Sequence, residues 1–99
     1  MSYIKMEWVS VMSEAIQVEH NALQNCFSAV IDGHQAILEY RLVDEATWDI
    51  HHTYVPNELR GKGVAALLAK TALAYAKEHN YKVVPSCSYI AVYLQRHPQ

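Results

Sequence analysis

The segment Arg60-Gly61-Lys62-Gly63-Val64-Ala65 places two glycines between two cations, directly ahead of a helical pattern. A helix N-terminus presents unpaired backbone N–H groups and the positive end of its dipole, which together attract phosphate. Glycines at 61 and 63 let the backbone take left-handed dihedrals and approach an anion closely, while Arg60 and Lys62 add charge at the rim. Spacing excludes two familiar phosphate loops. G-x-x-x-x-G-K-[ST] is absent, and G-x-G-x-x-G would need glycine where Ala66 stands. What the segment does satisfy is R-x-x-G-x-A, through Arg60, Gly63 and Ala65. On pattern alone, an anion cradle and a plain strand-to-helix turn are equal readings.

Other side chains offer acid, base or nucleophile. Cys87 stands just ahead of a last helical stretch, and a thiol at a helix N-terminus is favoured as thiolate by the dipole, hence as a nucleophile. The competing reading is a small buried hydrophobe at a strand end, which free cysteine commonly is; Cys26, in an early strand, is read as core. Tyr89 and Tyr93 could donate a proton, although Tyr93 also fits an inward stripe. His52 could act as a base, or could be a satisfied, half-buried histidine. The six histidines show no metal-ligand spacing: His51 and His52 are neighbours on one expected strand and should point to opposite faces, and the others are scattered. Glu39 and Glu58 read as solvated surface.

The elements that must hold these groups follow from periodicity. Phe27, Ala29 and Ile31 alternate with Ser28 and Val30 as far as Asp32-Gly33, a two-residue turn suited to a type I′ hairpin. A return strand over 34–43 places Ala36, Leu38, Tyr40 and Leu42 on one face. A third strand runs over 47–55 with Trp48, Ile50, His52 and Tyr54 on one face, and Pro56 ends it. The period then changes. Val64, Leu67, Leu68, Thr71, Ala72, Tyr75 and Ala76 mark one face of a helix of about four turns, with Asn80 as its stop. A short strand over 82–85 and a last helix over 89–96, with Ile90, Tyr93 and Leu94 inward, complete the chain. Residues 1–24 read two ways: Ile4, Trp8, Val11, Met12 and Ala15 fit an amphipathic helix, whereas Ile16 and Val18 alternate as a strand.

Composition bounds the rest. With 99 residues there is room for one core, and 52% hydrophobic content with ten aromatic residues argues for a packed domain, assigned to 16–99 with an N-terminal extension over 1–15. That extension could cover the sheet or form a homodimer contact. A net charge of −2 gives no global basic field, so nucleic acid is not an expected partner. Lys5, Glu7 and Glu14 interrupt the apolar start before a signal-peptide core can form, and there is no membrane-spanning run. Two cysteines and no export signal fit free thiols and a cytoplasmic location.

The stretch His52-Thr53-Tyr54-Val55-Pro56 through Ala65, with Tyr75-Ala76, Val84-Pro85 and Cys87-Ser88-Tyr89, resembles the small N-acetyltransferase-like domains described as YjdJ-type or NATD-type, over about residue 16 to the C-terminus. These are a minimal version of the GNAT superfamily. The resemblance implies an α+β fold: a mainly antiparallel sheet, a central long helix and a short C-terminal helix. It also implies acetyl-CoA as the bound cofactor. Arg60, Gly61, Lys62, Gly63, Val64 and Ala65 would hold the pyrophosphate largely by backbone, Thr53, Tyr54 and Val55 would offer main-chain partners to pantetheine, and Ser86 and Cys87 would line the thioester pocket. Tyr93, with Tyr89 beside it, would protonate the departing thiolate, and His52 matches the family's histidine-threonine pair.

That family transfers acetyl groups to amines. A lysine of pKa about 10.4 is only about 0.04% neutral at pH 7, a penalty of roughly 4 to 5 kcal/mol that a base or a desolvated site must offset. The chain is shorter than typical superfamily members, and the elements that wall in the acceptor are reduced. The expectation is therefore an acetyl-CoA-dependent N-acetyltransferase acting on an unidentified amine, with a peptide or protein amine admissible. The alternative is a non-catalytic acyl-CoA-binding module. Whether Cys87 carries the acetyl group in passing stays open.

Overall fold

The computed structural model describes residues 16–98; the two readings of the N-terminal extension therefore lie outside the described residues. Five strands form one sheet in sequential order: β1 (Val18–Asn21), β2 (Cys26–Ile31), β3 (His34–Asp44), β4 (Thr47–Tyr54) and β5 (Lys82–Val84). Pairing is antiparallel from β1 to β4, and β4 pairs with β5 in parallel. A parallel partner needs a crossover, and α1 (Val64–Glu78) supplies it; α2 (Ser88–Arg96) follows β5. This is the expected α+β arrangement, with a mostly antiparallel sheet.

The turns follow the local chemistry. Asp32 and Gly33 both take positive φ, 53° and 79°, as a type I′ hairpin requires. Helix α1 stops at Asn80, which adopts φ 61°. Asn80 N–H donates to Lys77 C=O at 3.1 Å and Tyr81 N–H to Ala76 C=O at 2.7 Å. That pair of bonds satisfies two carbonyls of the last turn, with asparagine tolerating the left-handed position.

Along α1 the buried residues are Val64, Leu68, Ala69, Ala72, Leu73 and Ala76. Ala69 and Leu73 extend the expected face, while Leu67, Thr71 and Tyr75 are only half-buried. The shift arises because α1 packs against the sheet on one side and α2 on another. Phe27, Leu38, Ile50, Leu59 and Ile90 join this core, and burial of each such side chain contributes about 1.5 to 3 kcal/mol. At one end the core is aromatic: Tyr40 stacks on Trp48 at 3.9 Å, Trp48 lies parallel to Tyr75 at 5.6 Å, and His20 from β1 stacks on Phe27 at 4.1 Å.

One expectation for β4 fails. Register runs Leu42 to Trp48, Arg41 to Asp49 and Tyr40 to Ile50, then resumes at Glu39 to His52, which leaves His51 as an extra residue. This β-bulge reverses the alternation. Trp48 and Ile50 face α1, but beyond the bulge Thr53 pairs with Leu38 on that face, while His52 and Tyr54 lie on the opposite, open face. His52 and Tyr54 therefore do not share the face of Trp48 and Ile50. His51, next to the inward Ile50, also falls on the open face, so the two histidines do not point to opposite sides as a regular strand would make them.

Candidate functional site

Helix α1 begins at a glycine in the left-handed region. Gly63 caps it with φ 74° and ψ 17°, and Gly61 two residues earlier has φ 82°. A side chain would be strained at either position, although the space where each Cβ would sit is open. Among the described residues no side chain caps the first turn of α1, and no acidic residue lies in it. The donors at this helix end are thus left available to an anion.

Beside the loop is a cavity of about 300 Å³ lined by Val55, Leu59, Arg60, Gly61, Gly63, Val64, Ala65, Ala66 and Tyr89. Leu59, from a short 3-10 turn over Asn57–Leu59, is fully buried and fixes the loop to the core. Lys62 turns away: its Nζ lies 3.9 Å from Asp32 Oδ2 on the β2–β3 turn. His34 and Glu58 form a second exposed link between the same two segments, at 3.8 Å. Exposed pairs of this kind contribute little.

From the loop a seam runs to Cys87. Strand β5 pairs only with Thr47, Trp48 and Asp49 of β4, and the next contact is Cys87 N–H donating to Ile50 C=O at 2.9 Å. Beyond Ile50, on the side of α2, β4 has no strand partner among the described residues. Along this stretch lie Thr53, Tyr54 and Val55, the backbone expected to pair with pantetheine. Cys87 is the N-cap of α2, and its half-buried Sγ donates to Thr53 Oγ1 at 3.6 Å. The bulge at His51 is what turns Thr53 toward Cys87. The residues present therefore fit a long, anionic, thioester-bearing molecule: an uncapped helix end with two left-handed glycines, a cavity, an unpaired strand edge and a thiol at the far end.

The remaining candidates are placed as follows. Tyr93 is half-buried on α2, its ring 6.3 Å from Tyr89 and 4.4 Å from His97. Tyr89 lines the cavity, and burial pushes its phenol up, with Tyr93 adding to the shift and Arg96 opposing it. His52 is exposed on the open face opposite Glu39, on the other side of β4 from the Cys87–Thr53 contact. Ser86 is exposed, and its proximity helps hold the Asp49 carboxyl below the usual carboxylate range. No group of three metal-ligating side chains occurs among the described residues.

Asp49 was not legible as a site residue. It is the buried charged residue of β4, 8% exposed, and Arg41 Nη2 donates to its Oδ2 at 2.7 Å. The Ser86 hydroxyl first, and Arg41 second, hold its carboxyl below the usual carboxylate range. Arg41 and Asp49 fall opposite each other across the β3–β4 hairpin as an ion pair, past an irregularity at Val43 between the pairs Leu42–Trp48 and Asp44–Thr47.

Comparison with known proteins places these features in a wider set. A family model described as GCN5-related N-acetyl-transferase matches residues 26–99, from the start of β2 onward. Protein NATD1 of Xenopus tropicalis is 38% identical over 88 residues, spanning 87% of this chain and 81% of that protein. Protein NATD1 of Mus musculus is 38% identical over 85 residues, spanning 84% and 77%. The solution NMR structure of a GCN5-like protein from Staphylococcus aureus aligns with a TM-score of 0.65 at 31% identity, covering 84% of this chain and 81% of that one.

Proposed function

The chain belongs to the GCN5-related N-acetyltransferase family, and from that premise we propose that it transfers the acetyl group of acetyl-CoA to an amine. The observation that carries this reading is the uncapped N-terminus of α1 opening beside the cavity at Val55, Gly63 and Tyr89, with the thiol of Cys87 two residues before Tyr89 at the N-cap of α2.

Backbone N–H groups from Gly61 to Ala65 hold the pyrophosphate, with Arg60 at the rim and Lys62 able to leave Asp32 for a phosphate. Thr53, Tyr54 and Val55 present the unpaired edge of β4 to the pantetheine arm. When bound, acetyl-CoA supplies the activated acetyl thioester. Thr53 and Cys87 mark where that thioester lies, and Ser86 acts on this end of the site from the Asp49 side. Tyr93 is the residue proposed to hold the proton for the departing thiolate. His52 lies on the other side of β4 from the Cys87–Thr53 contact, so in this reading it contacts an approaching acceptor and is not the base at the thioester. The exposed side chains of that open face, His51, His52 and Tyr54, are reached without passing α1 or α2, which suits an acceptor attached to a peptide or protein. Cys26 and Cys87 are both free thiols, in keeping with work in a reducing cytosol. No helix among the described residues is long and apolar enough to cross a membrane.

The test is release of free CoA from acetyl-CoA with a panel of amines and peptides. Turnover with at least one amine, lowered by about tenfold or more in Cys87→Ala, is the expected result. CoA binding without turnover across a broad panel would convert the reading to that of an acyl-CoA-binding module.

A further inference from the structure

A carboxylate buried in a sheet without its full set of donors is costly, so each one asks for a reason. Asp49 is 92% buried on the face away from α1, and Arg41 satisfies one oxygen at 2.7 Å. The other, Oδ1, is buried with no hydrogen-bond partner among the described residues. Ser86 is near enough to be the first cause that holds this carboxyl below its usual range, yet among the described residues no hydrogen bond closes onto Oδ1. Ser86 is exposed and sits in the connector between β5 and α2, one residue before Cys87.

The backbone makes this arrangement consequential. Asp49 is the last residue of β4 paired with β5, opposite Val84. Past it the connector is tied down by Ser86 N–H to Val84 C=O at 3.1 Å and Cys87 N–H to Ile50 C=O at 2.9 Å. Asp49 and Ile50 are adjacent, as are Ser86 and Cys87. Two neighbouring residues of β4 therefore face two neighbouring residues of the connector: Ile50 is bonded to Cys87 through the main chain, and Asp49 holds a vacant buried oxygen beside Ser86.

We infer that Asp49 and Ser86 form a latch that positions Cys87. The carboxylate, itself oriented by Arg41, draws the Ser86 hydroxyl toward its vacant oxygen and closes the connector onto β4. This holds the Cys87 sulfur against Thr53. Asp49 is a positioning residue that acts through Ser86 and does not touch the acetyl group. The importance of the latch for catalysis rests on the proposed role of Cys87, but its existence does not.

The experiment is the rate at which iodoacetamide alkylates Cys87 in the full chain, read by peptide mass spectrometry, with Cys26 at 5% exposure as the slow internal reference. Ser86→Ala removes the latch at an exposed position and should raise the Cys87 rate about tenfold, as expected when a hydrogen bond to a charged group no longer opposes local opening. Ser86→Thr keeps a hydroxyl and should restore the wild-type rate, which a general loosening of the fold would not do. Asp49→Asn should match Ser86→Ala, and the double variant should be no faster than either. A wild-type rate in Ser86→Ala, or additive effects of the two substitutions, overturns the latch. Alkylation needs neither acetyl-CoA nor an acceptor, so a wild-type protein that transfers no acetyl group would defeat the functional reading and leave the latch standing.

Discussion

Cys87 Sγ and Thr53 Oγ1 meet at 3.6 Å, joining residues 34 positions apart across the seam between β4 and α2. The contact exists because His51 is an extra residue in β4. Without that bulge Thr53 would fall on the open face, and the side chain opposite Cys87 would be that of a neighbour. A local irregularity in one strand thus decides which residue the thiol faces.

The first prediction concerns that contact. Cys87→Ala should lower turnover by about tenfold or more, as loss of a group that orients the reacting centre does, while CoA affinity stays close to wild type because the glycine loop is untouched. Thr53→Val, which keeps the shape and removes the hydroxyl, should lower turnover in the same sense. Steady-state kinetics alongside CoA titration checks both; an equal loss of affinity would place Cys87 in cofactor binding instead.

The second separates backbone strain from ligand binding. Gly63 and Gly33 have nearly the same left-handed φ, 74° and 79°, so alanine at either should cost about 1 to 2 kcal/mol of stability. Only Gly63→Ala should also weaken CoA, by roughly tenfold, through displaced N–H donors to a charged group. Urea unfolding and calorimetry on the two variants give the comparison. Equal CoA affinities would remove Gly63 from the site.

Acid stability forms the third. His20 Nε2 lies 2.7 Å from Tyr40 Oη within the aromatic cluster, and burial first, then His79, pushes its pKa below the ordinary 6.5. The unfolded chain therefore takes up a proton that the folded chain resists. Stability conferred by neutral His20 is present above about pH 6.5 and falls as pH drops below it, until the folded-state pKa is passed. Thermal midpoints measured from pH 7.5 to 5 should decline in the wild type and decline less in His20→Gln.

At the alkaline end the sign reverses. Burial, helped by Tyr75, Cys26 and Tyr81, pushes the Tyr40 phenol up from 10 to about 12. Between these values the unfolded chain loses a proton that the folded chain keeps, so stability is full below pH 10 and falls as pH rises through 12. Tyr40→Phe should remove part of that loss, measured as the slope of the urea midpoint between pH 9 and 11.

Much of this was legible from the residues. The Asp32-Gly33 turn, the start of α1 at Val64, its stop at Asn80 and the strand spacing all follow from local rules, because glycine, asparagine and alternation each act within a few positions. The bulge at His51 was not legible. No residue type around Ile50-His51-His52 announces it, since there is neither a glycine nor a proline there. The misplaced faces of His52 and Tyr54 follow from that single missed residue. Asp49 was hidden for a related reason: an aspartate in a strand looks solvated until Arg41 and Ser86 are seen to close over it. The loop was different again, because Gly61 and Gly63 fit a turn or a cradle equally, and only the uncapped helix end and the cavity beside Tyr89 favour the cradle.

The central claim is that the N-terminus of α1 and the edge of β4 hold an acyl-CoA. Isothermal calorimetry of the full chain with CoA and with acetyl-CoA tests it most directly. The account predicts one site per chain with a dissociation constant below roughly 100 µM, weakened in Gly63→Ala and retained in Gly33→Ala. Absence of binding at ligand concentrations of about 1 mM would contradict it.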